Sequence, residues 1–200
     1  MLTTVNQQQF SPVQAMDYAA YFEWVRELAG NKATSDADAS ESHIQYTHLN
    51  ERRIARLNKT LRVEEGLFAN LHALPAMEWM VLSESWCGDA AQNLPAINIV
   101  AEHLHIPLTI VPRDENPEIM EAFLTNGSRA IPKLIIFDRA SGDVLATWGP
   151  RPAPAQQLVM DAKAQQVPSE TYNLALQQWY NTDKSLTLQK ELAALLKGLI

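Results

Sequence analysis

The chain begins with a region in which apolar residues recur every three or four positions, the repeat of an amphipathic helix. Ser11-Pro12-Val13-Gln14 has the pattern of a capping box with proline at the first helical position. We therefore predict that the first helix begins there, after an unstructured stretch of residues 1–10. Ser40 or Ser42 is predicted to cap a second helix, and Pro75 to end a third. The helices predicted in this region run over about residues 11–30, 40–61 and 63–74.

The second of these helices has an apolar side and a basic side. A basic side is most often simply the solvated face of a helix, and a binding site for a partner is the less common alternative. The residues of the basic side are His48, Arg52, Arg53, Arg56 and Lys59.

From Met77 onward the pattern changes, because short apolar runs of strand length now alternate with helical segments. This alternation predicts an α/β protein. The predicted strands are Trp79–Ser83, Leu108–Val111, Lys133–Asp138 and Val144–Trp148, the last two joined by a turn that contains Gly142. The predicted helices run from Cys87 to about His103 with a kink at Pro95, and over residues 117–125, 153–163, 169–180 and 185–199.

Composition excludes several classes of function. The 200 residues carry a net charge of −7, which disfavours nucleic-acid and anionic-membrane surfaces. No apolar run approaches the length of a membrane span, and the N-terminus lacks the pattern of a signal peptide, so we expect a cytoplasmic protein. The single cysteine excludes an internal disulfide. No histidine stands at ligand spacing from it, and we expect neither a metal nor a cofactor.

That cysteine, Cys87, lies where the first predicted strand gives way to a helix. The first amides of a helix carry partial positive charge, which favours the reactive thiolate. Asp89 and Glu84 would raise the pKa of the thiol, whereas Arg129 or Arg151 would lower it. We therefore expect an accessible thiol with a moderately lowered pKa. The alternative is a small buried side chain with no chemical role.

Several motifs around Cys87 resemble those of the thioredoxin superfamily. Trp86-Cys87-Gly88 is similar to the family's Trp-Cys-Gly-Pro-Cys motif, and Pro95 stands where the active-site helix of a thioredoxin is kinked. Arg129-Ala130-Ile131-Pro132 resembles the segment whose proline is cis and lies beside the reactive sulfur. With its helical segments before and after this region, the chain is similar to a bacterial thioredoxin-like group with a Trp-Cys-Gly-Asp-Ala motif and one cysteine.

The resemblance implies a thioredoxin-like fold, with a central mixed sheet flanked by helices and with added N- and C-terminal helices. It covers less than half of the chain. We accordingly divide the sequence into an N-terminal helical extension (1–76), a thioredoxin-like domain (77–165) and a C-terminal helical extension packed on the core (166–200).

The resemblance also implies roles for individual residues. Cys87 would be catalytic, and Glu84, Arg129 and Arg151 would tune its thiolate. Two departures matter: Ala90 replaces the second cysteine, and Val81 replaces the buried carboxylate of thioredoxins. The residues expected to bind the substrate are Trp86, Gly88, Asp89, Ile131, Pro132 and Gly149.

Without a second cysteine, a mixed disulfide cannot be resolved from within the chain. We therefore expect monothiol exchange through Cys87 with a protein or a low-molecular-weight thiol or disulfide, resolved by an external thiol. Two alternatives remain open, a non-catalytic protein-binding module and a redox-responsive homodimer linked through Cys87. An iron–sulfur glutaredoxin is disfavoured, because the site of those proteins resembles Cys-Gly-Phe-Ser and the sequence of this chain differs there. The sequence leaves open whether the protein is an enzyme.

Overall fold

Four strands form a mixed sheet in the computed structural model, which describes residues 5–71 and 74–200. The strand order is β2-β1-β3-β4, with β1 parallel to β2 and antiparallel to β3, and β3 antiparallel to β4. Helices flank this sheet, so the predicted fold class is confirmed. The strands are β1 (Met77–Ser83), β2 (Leu108–Pro112), β3 (Lys133–Asp138) and β4 (Val144–Trp148).

The two central strands are apolar along almost their whole length. In β1 every residue except Glu78 is buried, and in β3 every residue except Asp138 is buried. Continuous burial of this kind requires cover on both faces of a sheet. The helices of the described chain are α1 (Tyr18–Gly30), α2 (Glu41–Thr60), α3 (Glu65–Phe68), α4 (Gly88–His103), α5 (Pro117–Ala122), α6 (Ala153–Ala164), α7 (Ser169–Asp183) and α8 (Leu186–Lys197).

One apolar core joins the sheet to α1, α2, α4 and α8. Helix α4 is its centre: it is buried along most of its length and packs against both α2 and α8. A second, smaller cluster lies between α6 and α7. We call it the α6–α7 cluster, and it consists of Ala155, Val159, Leu176 and Tyr180.

The predicted start of the first helix at Ser11 is wrong, because α1 begins at Tyr18. The side chain of Asp17 caps the helix by accepting a hydrogen bond from the Ala20 amide at 2.8 Å. Just before the cap, the backbone of Met16 exchanges two hydrogen bonds with Ile110 of β2, at 2.9 and 2.8 Å. Pairing with the sheet edge thus keeps this segment extended, against its local helical signal.

The expectation that residues 1–10 are unstructured is also wrong for the residues that the structure describes. Residues 7–9 form a 3₁₀ turn that Asn6 caps. The Asn6 side chain donates to the Ser141 carbonyl at 2.9 Å and to the Asp143 carboxylate at 3.0 Å. The N-terminal segment is therefore tied to the turn between β3 and β4.

The other boundaries shift by a few residues. Helix α3 covers only Glu65–Phe68 of the predicted helix 63–74, and residues 72 and 73 of that prediction lie outside the described residues. Helix α5 ends at Ala122, three residues before the predicted end. Among the described helices, none is long and apolar enough to cross a membrane.

Candidate thiol site

Cys87 occupies the N-cap position of α4, directly after the turn that follows β1. Its Sγ atom accepts a hydrogen bond from the Ala90 amide at 3.4 Å, and its own amide donates to the Glu84 carbonyl at 3.1 Å. The sulfur therefore takes the place that a serine or aspartate oxygen fills in an ordinary helix cap. This is the strand-to-helix position that the sequence predicts.

The segment before β3 lies beside this sulfur. The Cys87 thiol donates to the Ile131 carbonyl at 3.4 Å, and the Ile131–Pro132 peptide bond is cis. Pro132 is buried. The structure thus brings Cys87 and Ile131 together, as the resemblance implies.

Gly149 supports this segment from behind. It has a φ of +116°, and a Cβ atom added there would lie 2.2 Å from the Pro132 carbonyl oxygen. Only glycine fits such a close approach with such a backbone conformation. Gly149 and Pro132 are not among the residues that line the cleft described next.

Cys87 lies on the floor of a cleft of about 750 Å³. Helix α2, helix α7 and the segment before β3 each supply part of its lining. The lining residues used below are Tyr46, Leu49, Arg53, Trp86, Cys87, Gly88, Asp89, Arg113, Arg129, Ile131, Arg151, Glu170, Leu174 and Tyr180.

Burial suppresses ionisation of the thiol. Cys87 is 7% exposed, and its pKa is raised to about 12, first by desolvation and second by the negative charge of Asp89. Hydrogen bonds from the Ala90 and Asp89 amides and the charge of Arg151 act in the opposite direction but are weaker. The expectation of an accessible thiol with a moderately lowered pKa is therefore wrong.

Asp89 is the centre of a polar network beside the sulfur. Arg151 Nη2 lies 2.6 Å from Asp89 Oδ2, and the Tyr180 hydroxyl donates to Asp89 Oδ1 at 2.8 Å. Asn93 Nδ2 in turn donates to the Tyr180 hydroxyl at 3.1 Å. Burial raises the pKa of Asp89, while the Arg151 charge opposes that rise. The network links α4 to α7 and to the segment after β4.

Glu84 is 1% exposed and belongs to a different network. Its carboxylate accepts hydrogen bonds from the Asp114 amide at 2.8 Å and from the Ser35 hydroxyl. Burial raises its pKa to about 7. The largest causes of the raised Cys87 pKa do not include Glu84, so its role in tuning the thiolate stays a prediction.

Trp86 and Arg129 form the side of the cleft near β3. Trp86 stacks on His43, with ring centroids 4.3 Å apart and an interplanar angle of 6°. The guanidinium carbon of Arg113 lies 5.0 Å from the centroid of the Trp86 ring. Arg129 is ion-paired with Glu121 on the exposed outer side. Arg129, like Glu84, is not among the largest causes of the raised Cys87 pKa.

Sequence reasoning missed the contribution of α2. Tyr46, Leu49 and Arg53 follow the spacing i, i+3, i+7, so they share one face of the helix, and all three line the cleft. This stripe is visible in the sequence, although Arg53 also belongs to the basic side of the helix. No signal of this kind marks Tyr180, whose position depends on tertiary packing. In residues 5–71 and 74–200, no cluster of His, Cys, Asp and Glu side chains could hold a metal ion.

Two solved structures are similar to this chain. A protein of unknown function from Pseudomonas aeruginosa matches with a TM-score of 0.57 and 18% identity, over 92% of this chain and 99% of that one. An HIV epitope-scaffold protein matches with a TM-score of 0.52 and 18% identity, over 92% of this chain and 100% of that one. At this identity the likeness concerns the fold alone.

No curated protein sequence matches the chain significantly. A family model described as thioredoxin matches residues 37–165, which is more than half of the chain and includes α2. Together with the mixed sheet, the α4 cap at Cys87 and the neighbouring Ile131–Pro132 segment, this match shows that the chain belongs to the thioredoxin family.

Proposed function

We propose that this chain is a single-cysteine thioredoxin of the Trp-Cys-Gly-Asp-Ala type, which carries out monothiol exchange through Cys87 in the cytoplasm of a bacterium. One observation carries the proposal: Sγ lies at the N-terminus of α4 on the floor of an open cleft, 3.4 Å from the Ile131 carbonyl. A disulfide in the cleft would meet the sulfur directly beside the Ile131 carbonyl.

The exchange takes place in two steps, formation of a mixed disulfide and its resolution. The Cys87 thiol first loses its proton to solvent, and the thiolate attacks one sulfur of a disulfide R–S–S–R′. The S–S bond breaks, a Cys87–S–S–R adduct forms, and R′–S⁻ leaves with the electron pair and takes up a proton. Ala90 stands where a resolving cysteine would be. The thiolate of an external low-molecular-weight thiol or of a partner therefore attacks the R sulfur of the adduct. The Cys87–S bond breaks, a new disulfide forms between R and the attacking thiol, and Cys87 leaves as a thiolate that takes up a proton.

The neighbouring residues have separate tasks in this scheme. The amides of Asp89 and Ala90 stabilise negative charge on the sulfur. Ile131 offers its backbone to the substrate, and Trp86 and Gly88 border the substrate in the cleft. Gly149 and Pro132 hold the Ile131 segment in place from behind.

A second candidate, a non-catalytic binding module, is favoured by the raised pKa of Cys87. A thiol with a pKa of about 12 is almost wholly protonated at neutral pH and reacts slowly. The third candidate, a homodimer linked through Cys87, is disfavoured, because two sulfurs on the floors of two clefts cannot approach each other.

The first test is adduct formation. After incubation with 2-hydroxyethyl disulfide at pH 8, intact mass spectrometry is expected to show one mixed disulfide on the wild-type chain and none on Cys87→Ser. Reduction with dithiothreitol is expected to restore the original mass. Absence of an adduct on the wild type, even at pH 9, would reject monothiol exchange and favour the binding module.

The pH dependence of alkylation provides a quantitative prediction. Thiolate concentration increases about tenfold per pH unit at any pH well below the thiol pKa. Because the pKa of Cys87 is about 12, the rate with iodoacetamide is expected to rise in this way from pH 7 to pH 10 without levelling off. Free N-acetylcysteinamide, measured in parallel, is expected to level off near pH 9. A plateau for Cys87 at the same pH would contradict the burial of its charge.

A further inference from the structure

We infer that Arg53 forms an anion subsite beside Cys87, and that this subsite binds a carboxylate of a low-molecular-weight disulfide. The choice of a disulfide rests on the proposed function, whereas the anion subsite rests on the surroundings of Arg53.

Arg53 extends from α2 to the N-terminus of α4. Its Nη1 atom would lie 3.3 Å from a Cβ atom placed on Gly88, and it donates a hydrogen bond to Asn50 Oδ1 at 3.0 Å. Within the described residues, no carboxylate lies within 4.0 Å of its guanidinium group. Burial lowers the pKa of Arg53. A partly desolvated cation without a carboxylate in contact is less favourable than a paired one, and an anion bound there would compensate its charge.

The other three arginines of the cleft already have acidic partners. Arg113 Nε lies 2.8 Å from Asp114 Oδ1, Arg129 pairs with Glu121, and Arg151 pairs with Asp89. Arg53 is therefore the guanidinium group of the described lining that is free to take a ligand anion.

The surrounding charges favour an anion at this position. The amino end of α4 adds partial positive charge next to Gly88. Asp89 is the nearest acid that acts on Arg53, and its charge is compensated by Arg151. The remaining carboxylate of the lining is Glu170, in the first turn of α7. A carboxylate between Arg53 and Gly88 thus approaches a site with a local excess of positive charge.

The mouth of the cleft and its volume indicate the size of the occupant. Tyr46, Leu49 and Leu174 are exposed by 37%, 42% and 74%, and all three line the cleft. A volume of about 750 Å³ is typical of small-molecule pockets. Because Cys87 is 7% exposed, a substrate must enter the cleft to reach the sulfur, and a small disulfide with an apolar portion fits its lining and its volume.

The test compares three disulfides of similar size and different charge: 3,3′-dithiodipropionate (anionic), 2-hydroxyethyl disulfide (neutral) and cystamine (cationic). The rate of Cys87 adduct formation is measured by mass spectrometry and divided by the rate of N-acetylcysteinamide with the same reagent. We expect the anionic reagent to be favoured over the neutral one, and the cationic one to be the slowest. Arg53→Gln is expected to reduce the anionic preference about fivefold, the effect of one partly screened charge pair. Arg52→Gln, an exposed neighbour with the same loss of charge, is the matched control.

A second measurement separates this inference from the proposed exchange. Binding of 3,3′-thiodipropionate, which has no disulfide, is followed by calorimetry with the Cys87→Ser variant with and without Arg53→Gln. Weaker binding after Arg53→Gln, together with no adduct from any disulfide, would support the anion subsite and reject exchange. Equal normalised rates for the three reagents and equal binding by both variants would overturn the anion subsite, while leaving exchange intact if adducts form.

Discussion

Replacing Asp89 with asparagine is expected to accelerate alkylation of Cys87 by iodoacetamide at pH 8 by about ten- to a hundredfold. The negative charge of Asp89 is the second-largest cause of the raised thiol pKa, after burial. Asparagine removes that charge and releases the positive charge of Arg151, which already acts to lower the pKa. A neighbouring charge shifts a pKa by about one to three units, and each unit changes the thiolate fraction tenfold.

The control for this prediction is Tyr180→Phe. It removes the hydrogen bond to Asp89 Oδ1 but keeps the negative charge, so we expect little change in the alkylation rate. Arg151→Gln is expected to slow alkylation, because it removes the positive charge. Thermal melts of all three variants establish that they are folded under the assay conditions. An unchanged or slower rate for folded Asp89→Asn would contradict the electrostatic explanation of the thiol pKa.

Replacing Glu84 with glutamine is expected to stabilise the protein at pH 8. The folded-state pKa of Glu84 is raised from 4.5 to about 7, so the folded state binds the proton more tightly than the unfolded state. The contribution of this group to stability is therefore full below about pH 4.5 and is lost as the pH rises through 7. The difference corresponds to about 3 kcal/mol. Glutamine, like the protonated acid, is neutral and can still accept the Asp114 amide hydrogen bond.

Urea unfolding between pH 5 and pH 8 tests this expectation. The wild type is expected to lose free energy of unfolding across this range, whereas Glu84→Gln is expected to show a flatter profile. The pKa values of Asp36 and Asp138 are lowered, so their titration falls below the range. Glu65→Gln, an exposed substitution on α3, is the matched control for loss of one negative charge. If Glu84→Gln is less stable than the wild type at pH 8, ionisation of the buried carboxylate does not lower the free energy of unfolding, and the prediction is wrong.

The fold could be predicted because its strongest signals are local. The apolar runs of β1 and β3 and the junction at Cys87 are visible in short segments of sequence. The start of α1 could not be predicted in the same way, since Met16 pairs with Ile110, a residue far away in the sequence. Local capping preferences are weak compared with such pairing.

The chemistry of the site was less predictable than its location. The position of Cys87 between a strand and a helix is predictable from the local sequence. Its exposure is not, because it depends on α2 and α7, which are far from Cys87 in the sequence. Their packing removes water from the sulfur and raises its pKa. The same packing gives Arg53 a position in the cleft. Residue types near Cys87 in the sequence contain no information about either effect.

The α6–α7 cluster is separate from the main core, so its apolar packing does not join α7 to the sheet. Helix α7 is joined to α4 mainly through polar side chains, among them the contact of Gln92 with Gln177 at 3.0 Å. Such contacts depend on direction, because a hydrogen bond weakens steeply when its donor and acceptor move out of line. The orientation of α7, and with it the depth of the cleft at Cys87, therefore depends on buried polar partners such as Asn93 and Tyr180.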